Sequence, residues 1–155
     1  MKSVLFICTG NTFRSMVAEY ALKARLGLES PYLVGSAGTQ AVSQPIPPLI
    51  RDRLREKGVD AATHVQRKVT RELLERVDLP VAMGLDHREH IRRHFQREAL
   101  LFNQVCYQKE EPILDVHEAI PDWQGNPAAA RDYVLSLIDY IWDAMPAFLA
   151  RIPDL

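Results

Sequence analysis

Val4-Leu5-Phe6-Ile7 is an unbroken run of apolar, mostly β-branched and aromatic residues, the pattern of a short strand buried on both faces. From Ser15 to Leu26 the apolar residues switch to helical spacing. The alternation recurs, and it predicts strands near 3–7, 32–36, 79–83 and 100–106 and helices near 15–27, 47–57, 70–77, 86–96 and 127–151. Gly27 and Gly58 stand where helix C-caps are expected, Pro47-Pro48 opens the second helix, and Thr70 is placed to cap the third. In the last helix Val134, Leu137, Ile138, Ile141, Met145, Phe148, Leu149 and Ile152 keep one apolar face, which predicts packing on the sheet. Strand-helix alternation implies an α/β fold with a parallel sheet and right-handed crossovers, in which ligands bind beyond the carboxyl ends of the strands. No repeat, low-complexity tract or linker interrupts residues 1–155, so one domain is expected, with 40–48 and 107–127 as proline-bearing loops.

Composition narrows the classes. A chain of 155 residues that is 47% hydrophobic can bury a single core. A net charge of −1 offers no global attraction to nucleic acid or an anionic membrane. No apolar stretch is expected to span a membrane, and Met1 to Ile7 is too short for a secretory signal. Two cysteines make no disulfide framework, and a working thiolate needs reducing surroundings, so a cytoplasmic protein is expected. Oligomeric state is not readable from these features.

Cys8-Thr9-Gly10-Asn11-Thr12-Phe13-Arg14-Ser15 joins the first strand to the first helix. Backbone N–H groups in such a turn converge on its concavity, and the helix dipole adds about half a positive charge there. An anion is favoured, and a thiol in that place is expected to act as a thiolate nucleophile. Arg14 offers a planar fork of donors for two phosphoryl oxygens. Gly10 and Asn11 tolerate left-handed backbone angles, and Ser15 can cap the helix and donate toward the sulfur. Cys106 has Pro112 at the offset where Cys8 has Arg14, so it lacks this arrangement.

These residues resemble the low-molecular-weight protein tyrosine phosphatases, whose signature is Cys-x-Gly-Asn-x-Cys-Arg-Ser followed by Pro. Cys8, Gly10, Asn11, Arg14 and Ser15 match, whereas Phe13 replaces the second cysteine and Met16 the proline. Ser36-Ala37-Gly38-Thr39, Thr63-His64 with Arg67 and Thr70, and Val81-Ala82-Met83 extend the likeness over nearly the whole chain. The resemblance implies a four-stranded parallel sheet in the order 2-1-3-4 flanked by helices as one three-layer domain. It also implies a phosphoprotein phosphatase that works without cofactor or metal through a cysteinyl-phosphate intermediate. In that reading Cys8 attacks phosphorus, the amides of Thr9, Gly10, Asn11, Thr12, Phe13 and Ser15 bind phosphate with Arg14, and Asn11, Ser15 and Ser36 support the loop.

A cysteinyl phosphatase also needs a carboxyl group that protonates the leaving atom and then activates water. Glu110, Glu111, Asp115, Glu118 and Asp122 share one long loop, and spacing does not choose among them. The family's Asp-Pro-aromatic segment ahead of the last helix is most like Ile120-Pro121-Asp122-Trp123-Gln124-Gly125, which implies Asp122 as the acid and Trp123 as a wall for a substrate ring. The residues Gln40-Ala41-Val42-Ser43 stand where many relatives place an aromatic opposite wall. Phosphotyrosine is the implied substrate, and Thr12 resembles the protein-arginine phosphatase subset. A phosphate-binding module with impaired turnover is the competing class. Arsenate reductases of this fold relay oxidation through further cysteines, of which only Cys106 is present. His87, His90 and His94 fall near one helical face, but Arg88, Arg92, Arg93 and Arg97 surround them and disfavour a cation, so a solvated basic helix, able to contact an acidic phosphoprotein, is expected. Phe13 leaves Cys8 without a neighbouring thiol to trap its sulfenic acid as a disulfide. Peroxide is therefore expected to carry Cys8 to sulfinic or sulfonic acid, and return of most activity on adding a thiol would contradict this.

Overall fold

The computed structural model describes residues 2–154. At its centre β1 (Lys2–Cys8), β2 (Tyr32–Gly38), β3 (Leu79–Ala82) and β4 (Leu100–Leu101) form a parallel sheet in the order β2-β1-β3-β4. β1 runs against β2 from Lys2 opposite Tyr32 to Cys8 opposite Gly38, and against β3 from Val4 opposite Leu79 to Ile7 opposite Ala82. Being central, it is covered on both sides. Successive side chains alternate, so Val4, Phe6 and Cys8 enter the larger core while Leu5 and Ile7 enter the smaller one.

The larger core packs beneath α1 (Arg14–Leu26), α2 (Pro48–Glu56), α5 (Phe102–Tyr107), α7 (Pro127–Asp143) and α8 (Met145–Arg151). Phe6, Phe102 and Phe148 meet at its centre with ring centroids 5.3 to 6.2 Å apart. On the other face, α3 (Arg71–Glu75) and α4 (Leu85–Phe95) contribute Leu74 and Ile91 beside Leu5, Ile7 and Leu101. A short α6 (Val116–Ala119) lies in the long loop. Thr70 Oγ1 accepts from the Leu73 amide at 3.1 Å as the cap of α3, and Gly27 and Gly58 take φ of 76° and 84° after α1 and α2.

Three expectations are corrected. Strand 100–106 stops after Leu101, because Phe102, Val105 and Cys106 have the spacing of a buried helical face and form α5. The helix predicted over 127–151 breaks at Ala144, since Pro146 lacks the N–H that would bond Trp142 and its ring crowds that carbonyl. Finally, among the described residues Pro127–Arg151 is one segment long and apolar enough, at mean hydropathy 1.2, to cross a membrane by length and composition. Its residues Leu137, Ile138, Ile141, Met145 and Phe148 are spent in the core.

Candidate active site

The carboxyl end of β1 turns at Cys8 and re-enters regular structure at Arg14, so the loop between lies at the edge where the sheet meets α1. β2 clamps its start: the Thr39 amide donates to the Cys8 carbonyl and the Gln40 amide to the Thr9 carbonyl, both at 2.9 Å. Gly38 is required here by proximity, because a Cβ on it would fall 2.4 Å from the Thr9 carbonyl oxygen and 3.1 Å from the Asn11 amide nitrogen. Asn11 has φ of 58°, the left-handed turn expected of it, whereas Gly10 has no positive φ. The amides of Gly10, Asn11, Thr12 and Phe13 find no acceptor among the described residues. Four successive unpaired donors at a strand-to-helix turn form an anion-binding nest.

Donor geometry decides how the sulfur is held. Asn11 Nδ2 donates to Ser15 Oγ at 2.9 Å and to Ser36 Oγ at 2.8 Å, while its Oδ1 accepts from the Arg67 amide at 3.3 Å. With both Nδ2 hydrogens assigned, Ser15 Oγ accepts from Asn11 and has two acceptors in reach of its own hydrogen, Cys8 Sγ at 2.9 Å and the more distant Ala37 carbonyl at 3.5 Å; a thiolate at the shorter distance takes it. Cys8 is 3% exposed, yet its sulfur faces this hydroxyl. Ser36 in turn donates to Glu19 Oε1 at 2.5 Å, and Lys23 Nζ donates to Glu19 Oε2 at 2.5 Å. His64 Nε2 lies 2.9 Å from the Asn11 carbonyl, and Arg67 Nε donates to the Ser36 carbonyl at 3.0 Å. Ser15 does not cap α1 as expected; it lies within the first turn, and Phe13 occupies the N-cap position without a side-chain cap bond.

Arg14 is 2% exposed, and its guanidinium faces the long loop. Nη1 donates to the Ile113 carbonyl at 2.9 Å, Nη2 to Asp115 Oδ2 at 3.5 Å, and Glu118 Oε1 lies 3.8 Å from Nη1. Asp115 and Glu118 are fixed by a capping box on α6, with Asp115 Oδ1 on the Val116 amide at 2.7 Å and Glu118 Oε1 on the Asp115 amide at 2.9 Å. Tyr133 of α7 donates its hydroxyl to the Leu114 carbonyl. The structure thus brings Asp115, rather than Asp122, onto Arg14. Asp122 is exposed in the turn before Trp123–Gly125, and among the described residues its carboxylate has no hydrogen-bond or ion-pair partner. Trp123, 41% exposed, lines a groove of about 540 Å³ with Leu49, Asp115, Val116, Pro127 and Val134.

His87 departs most from expectation. It is 1% exposed rather than solvated: its Nδ1 accepts from the Gly84 amide at 3.0 Å and its Nε2 lies 2.8 Å from Thr9 Oγ1. His90 and His94 instead stack on each other at 4.2 Å along α4. Sequence reasoning also passed over Glu19; the available signal was an acidic residue one turn beyond Ser15 on a face otherwise committed to the core. Cys106 is buried, its thiol pushed up to about 12 by desolvation, which suits a packing role.

Comparison with known proteins agrees with this geometry. The family described as low molecular weight phosphotyrosine protein phosphatase matches residues 3–145. The low molecular weight protein-tyrosine-phosphatase Etp of Escherichia coli K12 is 34% identical over 115 residues, covering 71% of this chain and 75% of its own. A protein-arginine-phosphatase of Bacillus subtilis is 39% identical over 98 residues, 61% of this chain and 63% of its own length. Among solved structures, a mutant of YwlE from Bacillus subtilis superimposes with a TM-score of 0.81 at 26% identity, covering 99% of both chains.

Burial holds the His87 imidazolium pKa down to about 4 from 6.5, aided by the positive charge of Arg14 and opposed by Asp86 and Asp115. Between those values the unfolded chain binds the extra proton, so stability is fully present above pH 6.5 and is lost as pH falls through about 4. The loss attributable to His87 is about 3 kcal/mol. Urea midpoints measured from pH 7 to 4.5 should fall less steeply for His87→Gln than for the parent, and parallel profiles would show that His87 does not titrate in this window.

Proposed function

The chain belongs to the low molecular weight phosphotyrosine protein phosphatase family of cysteine-based hydrolases, which act on phosphorylated proteins, and from that premise we propose roles for its residues and a substrate. Cys8 Sγ attacks phosphorus in line, the bond to the leaving oxygen breaks, and a carboxyl group supplies the proton that oxygen needs. Water activated by the same carboxylate then attacks the cysteinyl phosphate, the S–P bond breaks, and phosphate leaves with the sulfur returned as thiolate. The unpaired amides of Gly10 to Phe13, with those of Thr9 and Ser15 and the Arg14 fork, hold the three equatorial oxygens whose charge rises on the way. Those unpaired amides around a sulfur that receives the Ser15 hydrogen carry the reading.

Asp122 is the acid and base in this proposal, since its carboxylate is unpartnered, exposed and adjacent to Trp123, the wall for a substrate ring. Asp115 then holds Arg14. A second reading makes Asp115 itself the acid, supported by its 3.5 Å contact with Arg14. Phosphotyrosine is the proposed side chain, supported by the Escherichia coli relative. Phosphoarginine is the second substrate reading, supported by Thr12 in the loop and by the Bacillus subtilis relative. A reducing compartment, the cytoplasm, is the proposed location, supported by a nucleophile that works only as a free thiolate.

Sustained turnover of an aryl phosphate, abolished by Cys8→Ser, is the expected result; release of one equivalent of phosphate and no more would favour a binding module. Loss of the acid should slow a substrate with a poor leaving group by about 10² to 10⁴ and spare one with a good leaving group. Asp122→Asn should show that selectivity, and Asp115→Asn should raise KM for both substrates alike; exchange of the two patterns would transfer the acid role to Asp115. Turnover of phosphotyrosine and phosphoarginine peptides side by side decides the substrate.

A further inference from the structure

The loop holds one side chain that the roles above leave idle. Thr9 follows the nucleophile, and its carbonyl is already taken by the Gln40 amide. Its hydroxyl touches a buried imidazole that sequence reasoning had placed in solvent. The direction of that bond can be derived. A backbone N–H only donates, so the Gly84 amide at 3.0 Å requires a lone pair on His87 Nδ1. The neutral ring then carries its hydrogen on Nε2 and donates to Thr9 Oγ1 at 2.8 Å. Thr9 Oγ1 is thereby fixed as an acceptor, and its own hydrogen has no other partner among the described residues.

The Gly84 amide favours this tautomer, against the pull of the more distant Asp86 carboxylate. A Cβ at position 84 would lie 3.1 Å from His87 Nδ1 and 3.3 Å from its Cε1, so glycine leaves the amide uncrowded beside the ring. Asp86 Oδ1 stands 3.5 Å from Nδ1, and the other charged or titratable groups acting on the ring are Arg14, Asp115 and His90. A proton on Nδ1 would face the Gly84 N–H directly.

We infer that His87 is a positioning residue that turns the Thr9 hydroxyl hydrogen toward the phosphoryl group, adding a side-chain donor to the ring of amides. The inference rests on the phosphate-binding reading of the loop. One charge-assisted hydrogen bond corresponds to about a tenfold change in affinity.

Competitive inhibition by inorganic phosphate, measured with an aryl phosphate substrate, tests it. Thr9→Val, which keeps the shape, should weaken phosphate inhibition about tenfold. Thr9→Ser, which restores the hydroxyl, should recover most of that loss. His87→Phe should match Thr9→Val, and the double variant should be no weaker than either alone. Phosphate binding unchanged in Thr9→Val, or losses that multiply in the double variant, would overturn the inference. Should His87→Phe not fold, the comparison of Thr9→Val with Thr9→Ser decides alone. Calorimetric titration of the same variants with inorganic phosphate separates the two readings: the same dependence on Thr9 without Cys8-dependent turnover would defeat the catalytic reading and leave the inference standing, whereas turnover that phosphate does not inhibit would overturn the inference together with the loop assignment.

Discussion

Two hydrogens on one amide nitrogen set the arrangement of the whole site. Asn11 Nδ2 holds Ser15 and Ser36 together, and its side-chain oxygen takes the Arg67 amide. Ser15 then has only its own hydrogen to give, with Cys8 Sγ at 2.9 Å nearer than the Ala37 carbonyl at 3.5 Å. Asn11 is fully buried, so each of these bonds is made in a medium where an unsatisfied partner costs about 1–3 kcal/mol. The left-handed backbone at Asn11 is what aims the side chain inward while its amide remains in the nest. A residue with only the small amide, or only the tolerance for positive φ, would satisfy one requirement and lose the other.

The sheet supplies the rigidity against which this turn is bent. Cys8 and Gly38 are register partners at the ends of β1 and β2, and the clearance at Gly38 lets the next residues hydrogen-bond the Cys8 and Thr9 carbonyls. At the same edge Met83, the residue after β3, accepts from the Ile113 amide at 2.8 Å through its carbonyl and so lays the long loop across the site. Arg14 reaches that loop at the neighbouring carbonyl. Strand ends and long loop are therefore joined through backbone contacts, and the carboxylates reach the nucleophile's loop through the Arg14 side chain.

Legibility followed the kind of interaction involved. The turn from Cys8 to Arg14 was legible because a strand-to-helix loop is local in sequence, and the short central strands because burial on both faces leaves an unbroken apolar run. At 100–106 the same signal failed: Leu100-Leu101 closes the sheet, but the following apolar residues serve a helix equally well. Asp115-Val116-His117-Glu118 carries a capping-box pattern that the sequence displays openly, yet its function comes from Arg14, about a hundred residues away in the chain. His87 was misread for a similar reason. Helical spacing grouped it with His90 and His94, whereas burial was decided by the first turn of α4 meeting Thr9 across the sheet edge.

Arg14 poses the remaining electrostatic question, since a guanidinium that is 2% exposed is not left uncompensated. In this structure the Asp115 and Glu118 carboxylates and the Ile113 carbonyl provide the negative side. In the proposed function a phosphate dianion entering the nest would compete with these groups for the fork, and the 3.5 Å contact to Asp115 is the longest of its hydrogen bonds and the first to yield. The Asp115 carboxylate keeps its Val116 amide bond, so α6 need not unwind when the fork turns. In the proposed function substrate and long loop would thus share one cation, held from the loop side by the Ile113 carbonyl and the Asp115 and Glu118 carboxylates.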